Sequence, residues 1–338
     1  MPRAFLQYDV FTSEPLLGNQ LAVFTDAQGL DSATMQRIAC EMNFSESTFI
    51  LPVEWAGTDI RMRIFTPASE MPMAGHPTIG STFALADSGV IKPGTPRFIF
   101  HLNAGPTPVD LEWSGDRLAF AWMTQPNPRF GAMVDDRAAV AAMIGLTADD
   151  LLPGAPVQEV SCAVPFLYIP VRDAETVDRA VSDTAAFRHF AKSHGVQLPV
   201  FVFALDDAGP AARGLEAGPA SRGPAYTNRR AGLAPAGPPD DGRASADPPT
   251  TIYSRMFAPE LGVTEDPATG IASGPLGSYL VHHGLVTHEA ARTLVSNQGV
   301  AMGRASRVHI SIGVEDGVIN DVKVGGEAVL VARGELLL

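Results

Sequence analysis

The sequence predicts an α+β protein of two pseudo-symmetric halves, and three observations carry that prediction. A chain of 338 residues, 46% of them hydrophobic, exceeds what one core usually organises, so two domains are expected. Strand-like runs are interrupted by two apolar, helix-like runs that carry almost no charge. Finally, Arg63-Ile64-Phe65-Thr66-Pro67 in the first half returns as Arg255-Met256-Phe257-Ala258-Pro259 in the second.

From the N-terminus, strands are expected over residues 4–11 and 21–25. Residues 32–42 follow as a helix, because Met35, Ile38, Ala39 and Met42 share one face and Asp31 or Ser32 can cap it. Strands over 47–51 and 61–66 lead to an apolar helix over 77–87 that ends near Gly89. A helix with so little charge is normally buried. The repeat runs on through this stretch, with Pro72-Met73-Ala74-Gly75 matching Pro267-Ala268-Thr269-Gly270 after a three-residue insertion. The interval from Gly75 to Gly89 equals that from Gly270 to Gly284.

On this reading the second half starts near Phe130, a helix over 136–144 stands where 32–42 stood, and residues near 127 are linker. The halves are residues 1–127, with the C-terminal strand a candidate to join them, and residues 128–338. Residues 206–249, rich in Gly, Pro, Ala and Asp and lacking either period, read as a mobile surface insertion, with an ordered lid as the alternative. Strands resume after Gly284, with Asp316-Gly317 and Gly325-Gly326 as hairpin turns.

Composition excludes several classes of function. The formal charge is −13 and there is no basic run, so nucleic acid and anionic membrane surfaces would repel the chain. No apolar stretch approaches the roughly 20 residues that span a bilayer, and the N-terminus lacks the apolar segment of a signal peptide, so the expected location is the cytoplasm. Cys40 and Cys162 alone exclude a disulfide framework and a cysteine-based zinc site. His282-His283 lacks ligand spacing and a nearby acidic partner, so no metal is expected.

The candidates for chemistry lie near the repeat. Both units place a Gly at the start of a buried helix, where unpaired N–H groups and the positive end of the dipole attract carboxylates. Two such ends, Gly75-His76-Pro77-Thr78 and Thr269-Gly270-Ile271-Ala272, would hold an anionic substrate between facing halves. His76 either moves a proton near neutral pH or simply caps and packs; the acidic pair Glu265-Asp266 in the matching loop favours the first role. Glu46 sits between Phe44 and Phe49 at the entry to a strand expected to be half-buried. A carboxylate desolvated there holds a proton more readily, which is the condition for a general base that returns its proton; a solvent-facing glutamate is the alternative.

Four motifs then occur in order: Gly18-Asn19-Gln20-Leu21-Ala22-Val23-Phe24, Ser45-Glu46-Ser47-Thr48-Phe49, Ala74-Gly75-His76-Pro77-Thr78 and Glu265-Asp266-Pro267-Ala268-Thr269-Gly270. Together they resemble those of the phenazine-biosynthesis (PhzF-like) family over essentially the whole chain outside 206–249. The resemblance implies the fold of diaminopimelate epimerase, in which each half wraps a β-sheet or barrel round a central helix and the active site lies between. It also implies a homodimer and cofactor-independent proton transfer on a small carboxylated substrate, by double-bond or keto/enol isomerisation. By the same resemblance Glu46, His76 and Asp266 are catalytic, with Glu46 as general acid/base, and Asn19, Gly75, Thr269, Gly270, Ile271 and Ser273 bind substrate.

One position departs from the family. A serine usually follows the Gly of the last motif, whereas here Ile271 stands there and the nearest serine is Ser273. A hydroxyl contact is lost, although the Ile271 N–H can still meet a carboxylate. Two rival readings remain. A thiol-based racemase or epimerase on this fold would carry a cysteine in each helix-start loop, where Ala74 and Thr269 stand. A non-catalytic binding or interaction protein would have no need of Glu46, His76 and Asp266 together.

Overall fold

Burial decides where the two apolar helices go. In the computed structural model, which describes residues 2–196, 199–206 and 249–338, each is enclosed along nearly its whole length. The first part of the chain runs β1 (Arg3–Val10), β2 (Asn19–Phe24), α1 (Ser32–Met42), β3 (Glu46–Leu51), β4 (Ile60–Phe65) and β5 (Glu70–Met71). It continues with α2 (Gly75–Asp87), β6 (Arg97–Leu102), β7 (Gly105–Ser114) and β8 (Arg117–Gln125). Next come β9 (Arg129–Met133), α3 (Arg137–Met143), β10 (Gln158–Ser161), β11 (Pro165–Pro170), α4 (Ala174–Arg179) and α5 (Thr184–His194). The last part comprises β12 (Val200–Leu205), β13 (Thr250–Ala258), β14 (Val263–Asp266), α6 (Gly270–His282), β15 (Leu294–Gln298), β16 (Ser306–Glu315), β17 (Val318–Gly326) and β18 (Ala328–Leu336).

The pairing of these strands repeats. In one set the neighbours run β18, β1, β2, β3, β4, β6, β7, β8, with β2–β3 and β4–β6 parallel and the rest antiparallel. In the other they run β9, β10, β11, β12, β13, β15, β16, β17, with β11–β12 and β13–β15 parallel. The short strands β5 and β14 add to β4 and β13 at equivalent places, and β8 pairs with β17 to join the sets. The fold is α+β, each set of strands curving round one helix. α2 packs on β1, β2 and β8, and α6 on β16, β17 and β10.

Both central helices are apolar all round, so neither needs a solvent-facing stripe. Four of their hydroxyls are absorbed by their own backbone, Thr78, Thr82, Ser273 and Ser278 donating to the carbonyls of Ala74, Thr78, Thr269 and Gly274 at 2.7 to 3.0 Å, while Ser81 meets Thr48 and Tyr279 donates to the Pro156 carbonyl. On the outer faces, α1 covers Phe24, Phe49 and Phe65 with Met35, Ile38 and Ala39, while α3, α4 and α5 cover Leu167, Ile169, Val200 and Val202. The repeat extends to one ion pair. Arg63 forks onto Glu70 at 2.7 and 2.6 Å, and Arg255 onto Glu265 at 2.8 and 2.7 Å, each guanidinium resting over the ring two residues on.

Two expectations need correction. The helix over 136–144 exists as α3, but it lies between β9 and β10, whereas α1 lies between β2 and β3; the segments between the corresponding strands β11 and β12 are α4 and α5. Residues 136–144 therefore do not stand where 32–42 stood. Asp316-Gly317 does turn a hairpin, both residues having positive φ, but Gly325-Gly326 does not. These glycines close β17, and the chain then crosses to pair β18 with β1. An added Cβ would lie 2.6 Å from Phe120 at Gly325 and 2.4 Å from Phe11 at Gly326, so close packing and not a turn demands glycine there. The insertion read over 206–249 falls, apart from its end residues, outside the described residues. No helix among the described residues is long and apolar enough to cross a membrane.

Candidate active site

The two central helices meet at their first residues. An added Cβ at Gly75 would lie 2.6 Å from the backbone of Gly270 and Ile271, so only two facing glycines let the helix starts come this close. Neither Ala74 nor Thr269 supplies a side-chain cap, so the N–H groups of the first residues, Gly75 and His76 on one helix and Gly270 and Ile271 on the other, receive no capping side chain from those positions. Beside this junction lies a cleft of about 410 Å³ lined by both halves, including Ser45, Glu46, Gly75, His76, Asp266, Thr269, Gly270 and Ile271.

Polar side chains converge there from four separate elements. His76 is 3% exposed, and its Nδ1 lies 3.0 Å from Glu46 Oε2. Asn19 Nδ2 has two hydrogens, which the Asp266 Oδ1 at 2.9 Å and the Ala268 carbonyl at 2.8 Å use up. His76 Nδ1, 3.3 Å from the same nitrogen, is therefore left to donate to Glu46. Asp266 Oδ1 also accepts from Ser45 Oγ at 3.0 Å, and its Oδ2 from Thr269 Oγ1 at 2.6 Å. Behind them Gln298 accepts from the Thr269 N–H at 3.0 Å and donates to the Asp266 carbonyl at 2.8 Å. Arg304 binds the carbonyls of Leu17 and Gly18 and the Asp9 carboxylate, each at 2.7 Å, and so fixes the turn that leads into Asn19.

The electrostatics follow from these contacts. Burial pushes the His76 imidazole down, but the Glu46 carboxylate, by charge and hydrogen bond, together with Asp266 and the nearby Gln20 carbonyl, outweighs it, and His76 ends above its ordinary value. Burial pushes Asp266 up most; His76 and the donors Thr269 and Ser45 draw it down, Glu46 adds to the rise, and the net direction is upward. Glu46 is the most open of the three, with 15% of its side chain exposed. The arrangement thus offers a carboxylate at the cleft, steadied by a buried imidazole, beside two capless helix starts able to receive an anion.

The structure brings Glu46, His76, Asp266, Gly75, Thr269, Gly270 and Ile271 to one cleft. Two of the expected substrate contacts are placed otherwise. Asn19 is 1% exposed and sits behind the cleft, holding Asp266 and the Ala268 carbonyl. Ser273 is fully buried one turn inside α6, and its hydroxyl is spent on Thr269 O. Ser45, Gln298 and Arg304 were missed. Ser45 could have been found, since it adjoins Glu46 in the same motif, but no sequence signal marks the other two.

Comparison with known proteins adds to this geometry. The model of the phenazine biosynthesis-like protein family matches residues 8–210 and 236–334. The chain belongs to that family, and so to a group of isomerases. An uncharacterized isomerase of Mesorhizobium japonicum is 32% identical over 99% of both chains. The trans-2,3-dihydro-3-hydroxyanthranilate isomerase of Pseudomonas fluorescens is 30% identical over 98% of both. The crystal structure of a Bacillus anthracis protein of the family covers the whole of both chains at 25% identity, with a TM-score of 0.77.

Proposed function

We propose that this family member moves a proton between two positions of a small carboxylated substrate without a cofactor, with Glu46 as the single acid and base. The observation that carries the reading is the Glu46–His76 contact of 3.0 Å, at the edge of a cleft that also contains both capless helix starts. The substrate carboxylate binds the first-turn N–H groups at Gly75 and Gly270, held by partial positive charge and not by a basic side chain. Glu46 takes a proton from substrate carbon, and the electron pair left behind spreads into the adjoining unsaturated or carbonyl system. The same carboxyl group then returns the proton at another carbon, so the substrate is isomerised with no net loss of atoms. His76, donating from Nδ1, steadies the Glu46 carboxylate between the two transfers, and Asp266 keeps the imidazolium favourable.

The thiol route has little support. Cys40 and Cys162 do not line the cleft, and burial pushes the Cys162 thiol up to about 12, far from a reactive thiolate. Met71, Phe166, Met256 and Ile271 give the cleft an apolar wall, which suits a cyclic or branched substrate body. Ile271 replaces the family's usual serine there, so the substrate differs from that of the phenazine relatives in the group facing this wall.

The test is solvent exchange. Wild-type protein and Glu46→Gln are incubated in deuterated water with carboxylated metabolites, starting from trans-2,3-dihydro-3-hydroxyanthranilate, and deuterium incorporation is followed by NMR. Glu46→Gln keeps size and most hydrogen bonding, so substrate still binds while exchange falls by about a hundredfold to ten-thousandfold. Exchange at the wild-type rate in the variant would overturn the assignment.

A further inference from the structure

The internal repeat sets up a problem of orientation. The repeated units bring the N-terminus of α2 against that of α6, so a carboxylate meets similar backbone partners whichever way round its carrier enters. The walls beyond are not equivalent. Aligning the two units by Pro67 with Pro259 and by Gly75 with Gly270 pairs Ala68 with Glu260, Met71 with Asp266 and Ala74 with Thr269, and all six residues line the cleft. At each pair the first half presents an apolar group and the second a polar one.

Of these, Asp266 and Thr269 are spent on each other and on Asn19, Ser45 and Gln298. Glu260 is not part of that network. It follows Pro259 in the short turn that the three-residue insertion creates, and 21% of its side chain is exposed. Its one ionic neighbour among the described residues is Arg188, Nε to Oε1 at 3.2 Å, whose side chain is 70% exposed; a pair with so solvated a member is weak. No hydrogen bond satisfies Oε1 among the described residues, and no described lining residue of the cleft is Lys or Arg. A carboxylate so placed favours a ligand that brings its own positive charge or N–H donors.

Building on the reading of the cleft as a carboxylate-binding proton-transfer site, we infer that Glu260 is a specificity-determining residue: it takes an ammonium group on the substrate and so fixes which way round the substrate lies. An amino carboxylate, the class to which the trans-2,3-dihydro-3-hydroxyanthranilate of the relatives already belongs, then lies with its carboxylate at the helix starts and its ammonium toward Glu260. Reversed, the ammonium would face Ala68 and lose its partner, so the proton to be moved is presented to Glu46 in one orientation only.

Binding tests this without turnover. Cyclohexanecarboxylate and its 2-, 3- and 4-amino derivatives serve as probes, titrated calorimetrically into wild-type protein, Glu260→Gln and Glu260→Ala. At least one amino isomer is expected to bind wild type tenfold or more tightly than cyclohexanecarboxylate, and that advantage is expected to vanish in both variants while cyclohexanecarboxylate binds all three alike. An advantage that persists in Glu260→Gln, or no advantage for any isomer in wild type, overturns the role of Glu260 and leaves the carboxylate site standing. If neither cyclohexanecarboxylate nor any amino isomer binds wild type, the carboxylate site itself fails, and the inference with it. A fall in affinity for every probe alike in both variants marks Glu260 as merely structural.

Discussion

At His76 two opposed influences act on one imidazole: burial, which disfavours its charge, and the carboxylates of Glu46 and Asp266, which favour it. Glu46 prevails, so the charged form persists above the ordinary value of 6.5. The sign of the stability effect follows. A histidine raised on folding adds stability in full below about 6.5, and that share is lost as pH rises through its higher folded value. Replacing Glu46 with Gln removes the strongest opposing charge, so His76 should titrate at lower pH than in the wild type, and less stability should be lost above neutrality. Imidazole NMR shifts followed against pH in the two proteins check this, and unchanged titration would mean that Glu46 does not govern His76. Glu46, His76 and Asp266 could be picked out in the sequence because each lies in a dense local motif, and the structure places all three at one cleft. Gln298 and Arg304 could not be, since each acts on a loop far along the chain, and a lone polar residue in a strand or turn carries no mark of what it will touch. Asn19 and Ser273 were seen but misplaced for the same reason: a motif indicates that a residue matters, not whether it faces the ligand or the residues behind it.

Among the elements, α2 and α6 look interchangeable by sequence, yet their first glycines are not equally constrained. At Gly75 a Cβ meets the backbone of Gly270 and Ile271 at 2.6 Å, and backbone cannot move aside without parting the helices. At Gly270 it meets the Phe11 ring edge at 2.8 Å and the Gly75 backbone at 3.1 Å, and the ring can yield. Gly75→Ala should therefore cost about 1–3 kcal/mol and open the cleft, with Gly270→Ala milder. Denaturant unfolding of the two variants measures the difference; equal or reversed costs would show that the junction is more pliable than its geometry implies. The helices themselves were readable, because a charge-poor run of this length can only be buried. The pair Gly325-Gly326 was not: a Gly-Gly step looks the same whether it turns a hairpin or lets Phe11, Phe120 and Trp122 approach a strand, and the difference lies in residues far away in sequence.

Across the whole molecule the repeat was the most legible feature, since it can be counted, whereas the strand order could not be read because the pairings that join its ends, β1 with β18 and β8 with β17, bring together strands far apart in the chain. The clearest case is β18, which pairs with β1 from Arg3↔Leu336 to Val10↔Ala328. Removing residues 328–338 should leave β1 with an unpaired edge and loosen the loop that carries Asn19. Hydrogen exchange should then speed up in β1 to β4 while β10 to β13 stay protected; uniform exchange across both sets would refute the separation. The same strand bears on how the protein is made. On the ribosome the set from β9 to β17 is wholly synthesised before β18 exists, so the half begun first is completed last. Until then the nascent chain displays the bare edge of β1 and an unfinished wrap around α2, a natural point for a chaperone to hold it.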